Sequence, residues 1–182
     1  GSQVFDWTVP KEWEITAGYI EDEQGNRIID YADNNLHVMG YSTAVDQWVT
    51  LEELLQYIKV EESQPDVIPY VTSYYSPRFA FCMSKNQRDS LKPGKYHMVI
   101  DSRHFDGVLN YGEILLPGES EKEVLLSTYI CHPSMANNEV SGPVLTTFLA
   151  KWLKSLDRKL SYRIVFVPET IGSIAYLSRN LN

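Results

Sequence analysis

The chain has 182 residues, of which 43% are hydrophobic and 22% charged, and its net charge is −8, the balance of an ordinary soluble globular protein. No cluster of Lys and Arg stands above the background, so nucleic acid and anionic membranes are not expected as partners. No apolar run approaches the ~20 residues that span a bilayer, and Cys82 and Cys131 follow no metal-ligand spacing, which suits reduced thiols and a cytoplasmic setting.

In chain order, Val4 to Trp13 alternates weakly and carries Pro10, which cannot donate to a ladder, and it predicts an extended edge segment. Glu14 to Ile20 and Arg27 to Tyr31 flank a charged, glycine-bearing turn and predict a β-hairpin. Leu36 to Tyr41 reads as another short strand. Thr50-Leu-Glu-Glu53 fits a capping box, and Leu51, Leu54, Leu55 and Ile58 recur at helical spacing, so a short amphipathic helix is expected. Tyr70 to Tyr75 and Phe79 to Met83 read as strands around Ser76-Pro77-Arg78. Ser84 to Gln87 opens a second short capped helix, and Lys95 to Asp101 is a strand.

Beyond the loop Phe105 to Asn110 the character changes. Tyr111 to Leu116 and Glu123 to Ile130 read as strands joined by the hairpin turn Pro117 to Ser120. Pro143 to Leu156 reads as a helix with Ser141 as its N-cap, because Val144, Phe148, Trp152 and Leu156 repeat every four residues. Ile164 to Val167 is an all-apolar strand, as expected where both sheet faces are covered. A last helix, capped by Thr170, runs to Leu181. Strand, helix, strand, helix is an α/β pattern, and its right-handed crossover makes Val124–Ile130 and Ile164–Val167 parallel neighbours. So little α/β structure suggests a piece of a longer protein.

His132 follows the first of these strands and Glu169 the second. Open α/β sheets bind ligands outside the carboxyl ends of their strands, so the two side chains are expected on one site. His132 could equally cap a loop, Glu169 could be a carboxylate favoured at a helix N-terminus, and Asn137, Asn138 and Glu139 could be a polar loop before the helix. His37, His97 and His104 lack partner spacing and read as surface or packing residues. Tyr74, Tyr75, Arg78 and Phe79 are ordinary sheet residues or the wall of a substrate pocket.

Gly112 to His132 resembles the hairpin leading to the first metal ligand of two-zinc aminopeptidases. The phrases Asp6-Trp-Thr-Val-Pro10, Cys131-His-Pro-Ser134 and Val167-Pro-Glu-Thr-Ile-Gly-Ser-Ile-Ala-Tyr176 are similar to bacterial aminopeptidase-like proteins with a small inserted domain. The resemblance implies an α/β, partial aminopeptidase-like (phosphorylase/hydrolase-like) sheet formed by residues 1–42 and 111–182. Residues 43–110 would be an inserted small β-rich α+β domain. It further implies zinc held by His132, with Asn138 or Glu139 as a second contact, Glu169 as general base, and a peptide or amide as substrate. The aspartate expected after the histidine is Ser134, the bridging aspartate is Asn138, and the second glutamate is Thr170. One metal is therefore more plausible than two, with weak or no zinc binding by this segment and no peptidase activity of its own. The alternative is a peptide- or glycan-binding module on a peptidase scaffold.

Overall fold

The computed structural model describes residues 1–181. They form two compact units, one of Gly1–Val9 with Gly107 onward, the other of Pro10–Asp106. A two-strand ribbon, β1 (Gln3–Val4) and β2 (Trp7–Thr8), opens the first unit.

In the second unit, β3 (Glu12–Asp22) turns back into β4 (Arg27–Asp30). The Asp22 carboxylate holds that turn by accepting the backbone N–H groups of Gln24 and Asn26, each at 2.9 Å. Then come β5 (Val45–Thr50), α1 (Leu51–Tyr57), β6 (Ile58–Lys59), β7 (Phe81–Cys82), α2 (Lys85–Asp89) and β8 (Lys95–Phe105). The main sheet runs β4-β3-β8-β5, all antiparallel. Period-two alternation sends Ile20, Met98, Ile100 and Val49 inward, where they meet Leu54, Ile58, Phe81 and Met83. Both helices start with the capping boxes legible in the sequence, Thr50 with Glu53 and Ser84 with Gln87.

Two expectations for this unit fail. Leu36 to Tyr41 is not a strand: the Asn34 side chain accepts the Leu36 N–H and starts a 3-10 turn over Asn35–His37, the local competition that asparagine offers to a ladder. Of the strands read at Tyr70–Tyr75 and Phe79–Met83 only β7 survives, parallel to β6, with a lone bridge at Thr72. Pro69 and Pro77 interrupt the donors a longer ladder would need.

The first unit continues with β9 (Gly112–Leu116), β10 (Ser120–Tyr129), α3 (Ala136–Lys154), β11 (Leu160–Val167) and α4 (Ile171–Asn180). As the crossover predicts, β10 and β11 are parallel neighbours, with Leu126 opposite Ile164 and Tyr129 opposite Val167. The predicted β9–β10 hairpin is absent: the sheet order is β10-β11-β9, with β11 between them and antiparallel to β9. One face packs Leu116, Leu126 and Ile164 against Ala150 and Leu153 of α3. On the other face Val165 and Val167 meet Tyr176 of α4.

The expected grouping of residues 1–42 with 111–182 also changes. β3 is zipped along its length to β8, so residues 10–42 belong with Pro10–Asp106 and only Gly1–Val9 joins the later α/β segment.

Candidate active site

The site is built where β10 and β11 end. The Ile130 N–H donates to the Val167 carbonyl at 2.9 Å, extending the parallel pairing one residue past β10. Cys131 and His132 therefore leave the sheet beside Pro168 and Glu169. A turn closes with the Met135 N–H on the His132 carbonyl at 3.2 Å, and α3 begins at Ala136, seven residues earlier than the proline signal suggests. Pro143 lies inside the helix and not in its first turn. Asn137, Asn138 and Glu139 are therefore helical, not a loop.

This shift decides what Glu139 does. Helical spacing puts Glu139 on the sheet-facing side with Thr146, Ala150 and Leu153, all buried. One Glu139 oxygen accepts the Cys131 N–H at 2.5 Å, and the other lies 2.6 Å from His132 Nδ1. Burial would raise the Glu139 carboxyl, but the Cys131 N–H, the imidazole and the His132 N–H outweigh it and hold the carboxyl below its ordinary range. Both oxygens thus have partners within the chain, and these contacts orient the His132 ring. Asn138 is exposed on the same turn and is not what reaches His132.

The ring of His132 is fixed through Nδ1, and its Nε2 points at Glu169, 3.4 Å from Oε2. The imidazole is largely buried, whereas the Glu169 side chain is 46% exposed. Ser134 stands where the resemblance wants an orienting aspartate; the carboxylate on Nδ1 comes from Glu139, and carboxylates on a ligand-type histidine fix its tautomer. Burial raises the Cys131 thiol, with the charges of Glu139 and Glu169 adding to it and the Glu169 backbone N–H opposing. A raised thiol is a poor nucleophile. Both cysteines are free.

One close approach and one backbone angle set this geometry. A Cβ on Gly142 would lie 2.3 Å from Thr128 Oγ1, so glycine lets α3 settle onto β10 beside the site. Thr170 has φ 54° and ψ −76° and makes no side-chain cap. That is the strained γ-turn region, unusual for a β-branched residue, and it fixes the direction in which Glu169 leaves β11. Thr170 occupies the N-cap position expected from the sequence, without the side-chain bond of an ordinary cap.

Tyr74, Tyr75, Arg78 and Phe79 all lie in the Pro10–Asp106 unit. Tyr74 packs edge-on against Tyr41 at 4.7 Å, and Tyr41 stacks on Trp13 at 5.8 Å. Arg78 Nε donates to Ser73 Oγ at 2.9 Å, Phe79 stacks on Tyr57 at 4.6 Å, and Tyr75 is exposed. Phe79 is therefore a packing residue. Tyr41 itself, at φ 65°, joins this cluster without any sequence signal beyond being aromatic.

A family model described as a domain of unknown function, DUF4910, matches residues 1–182. The chain belongs to the DUF4910 family. A Clostridium acetobutylicum protein, provisionally named a polysaccharide biosynthesis protein with an aminopeptidase-like domain, is 51% identical over 180 residues. That match takes in 99% of this chain and 42% of the relative. A crystal structure of a provisionally named peptidase from the same organism superposes with a TM-score of 0.93 at 51% identity, covering all of this chain and 43% of the other. A zinc aminopeptidase from Bacillus subtilis shares the fold, with a TM-score of 0.61 at 11% identity over 94% of this chain and 53% of that one. The aminopeptidase-like resemblance read from the sequence is thus met in DUF4910 relatives and in fold. The chain spans less than half the length of its 51%-identical relatives. Among the described residues no helix is long and apolar enough to cross a membrane.

The fold raises the question of zinc. Catalytic zinc takes three protein ligands and an open position. Among the described residues no three His, Cys, Asp or Glu side chains gather as a metal site; Glu139 is committed to Nδ1 and the Cys131 N–H, which leaves His132 Nε2 and Glu169 as donors. These two do not make a zinc centre by themselves.

Proposed function

We propose that this DUF4910 chain carries the histidine–glutamate part of a hydrolase site acting on a peptide or amide bond near an amino terminus. The observation behind it is the Glu139–His132–Glu169 line, in which a buried carboxylate fixes Nδ1 and turns Nε2 toward an accessible carboxylate. In a complete site His132 Nε2 would be one zinc ligand, and the metal would supply a polarised water. Glu169 would take a proton at Oε2 and return it to the leaving amine, work that asks for a carboxylate both exposed and aimed. Zinc binding by the segment alone would be weak, since two donors fall one short.

The test uses a chain of the relatives' length carrying this segment, assayed on aminoacyl amides. Glu169→Gln keeps size and hydrogen bonding but not basicity, and it should lower kcat by ~10²–10⁴-fold with little change in KM. Wild-type turnover in that variant removes Glu169 as the base. A second reading, a peptide- or glycan-binding module, draws on Ser134, Asn138 and Thr170 standing where the resemblance wants carboxylates. Tight ligand binding with no turnover, unaffected by Glu169→Gln, would favour it.

A further inference from the structure

The outer face of the antiparallel sheet in the Pro10–Asp106 unit carries aromatic rings that the core does not use. Strand alternation turns Met98 and Ile100 inward, so His97 and Arg103 of β8 face outward, with Tyr19 and Glu21 of β3 and Asp46 and Trp48 of β5. Twice in this unit the chain seats one of its own arginines over a ring and ties it to a carboxylate. The Arg27 guanidinium lies 3.1 Å from the Tyr19 ring centroid, with its Nε 3.5 Å from Glu21. Arg103 lies 5.2 Å from the Phe105 centroid, and its Nε donates to Glu14 at 2.6 Å. Trp48 has the ring and the carboxylate without the arginine. Its indole stacks on His97 at 4.8 Å and 7°, which covers one face, and the residue stays 51% exposed. Among the described residues no arginine or lysine lies over its other face. Asp46, two residues back on the same side of β5, has Oδ1 at 2.7 Å from His97 Nε2, and its side chain is 78% exposed. Glu21 holds the other nitrogen of His97 at 3.0 Å, so the ring beneath Trp48 is fixed from both sides.

We infer that Trp48 and Asp46 form a binding site for a guanidinium, supplied by an arginine side chain of a separate basic polypeptide. A guanidinium is planar, so it can stack on the outer indole face while its N–H groups donate to the Asp46 carboxylate. β5 is an edge of its sheet, and a side chain can reach the ring from beyond that strand. Charge selects the same occupant. Residues Pro10–Asp106 hold 9 Lys and Arg against 16 Asp and Glu, so 9 − 16 = −7 of the chain's net −8 lies in this unit. Such a field draws in a basic segment and repels an acidic one. Arginine and tryptophan are also the residues that most often anchor protein interfaces. A ring pair that served the sheet alone would meet charged and neutral peptides alike, and that difference is measurable.

Indole N–H resonances of the isotope-labelled 182-residue chain read the site, one from each of its four tryptophans, with Trp48 assigned by its loss in Trp48→Phe. The probe is acetyl-Gly-Arg-Gly-amide at constant ionic strength. Beside it runs the same peptide with citrulline, whose urea group keeps the shape of the guanidinium and removes its charge. The Trp48 resonance should move saturably with the arginine peptide, while Trp7, Trp13 and Trp152 stay in place. The Kd should rise by about threefold or more with citrulline, with lysine in place of arginine, and in Asp46→Asn. Equal affinity for arginine and citrulline overturns the inference, as does a Trp48 resonance that does not move. Lysine bound as tightly as arginine removes the guanidinium assignment. An equal response from all four tryptophans marks unspecific attraction and overturns it too. A Trp48 resonance that shifts with protein concentration, before any peptide is added, marks an arginine from a second copy and overturns the separate partner. If Asp46→Asn disturbs the amide spectrum of β5, the contrast of arginine with citrulline on the wild-type chain decides alone.

Discussion

Glu139 and Thr170 show what single residues contribute to this site. Glu139 takes over the orienting task that Ser134 lacks the carboxylate to perform, and Thr170 holds a backbone angle that a β-branched residue avoids. Thr170→Gly should relieve ~1–3 kcal/mol of strain, partly offset by the flexibility glycine adds to the unfolded chain, so the thermal midpoint rises; a lower midpoint would show the angle costs nothing. His97 makes a different case. It lies between Asp46 at 2.7 Å and Glu21 at 3.0 Å, stacked on Trp48. Burial opposes its protonation, but the two carboxylates outweigh it and raise its pKa. A raised histidine stabilises the fold fully below its unfolded value of ~6.5 and loses that contribution as pH rises through the folded value. The stability gap between wild type and His97→Gln should accordingly be widest near pH ~6 and narrow towards pH ~8.5 in urea melts; a gap that widens with pH would contradict this. The sequence hid the role of His97, because its partners come from β3 and β5, 76 and 51 positions away.

At the scale of elements, whatever depends on near neighbours in sequence was readable. Both capping boxes, the β3–β4 hairpin and the parallel β10–β11 pair follow from local pattern and the handedness of crossovers. The failures are competitions between two local signals or between local and distant ones. Pro117-Gly118 looks like a hairpin turn, yet β11 arrives later and separates β9 from β10. Pro143 looks like a helix start, yet packing carries α3 through it, and the cost is visible: proline has no N–H for the Glu139 carbonyl one turn back. The spacing of Glu139, Thr146, Ala150 and Leu153 was the available clue to where α3 begins and which side it buries. Pro143→Ala should restore the missing donor and stabilise the chain by up to ~3 kcal/mol. A fall in midpoint would mean that the proline ring makes contacts worth more than the bond.

At the scale of the whole molecule, the site line of His132 and Glu169 was legible because strand ends in an α/β sheet are predictable places. The grouping of residues into units was not, since the pairing of β3 with β8 spans most of an insertion. That same pairing has an entropic consequence. Glu12 faces Phe105, Trp13 faces His104, and Lys11 reaches Asp106 at 3.6 Å, so the 106 − 10 + 1 = 97 residues of the Pro10–Asp106 unit begin and end side by side. To the rest of the chain this unit is a short staple and not a floppy loop, whose closure would cost ~4 kcal/mol. Pro10–Asp106 expressed alone should unfold in one cooperative transition; a sloping melt with no baseline would show that it borrows its order. A module whose ends already meet can be carried between the β1–β2 ribbon and β9 at little cost in chain entropy, so its sequence is free to change without disturbing the strands that carry His132 and Glu169.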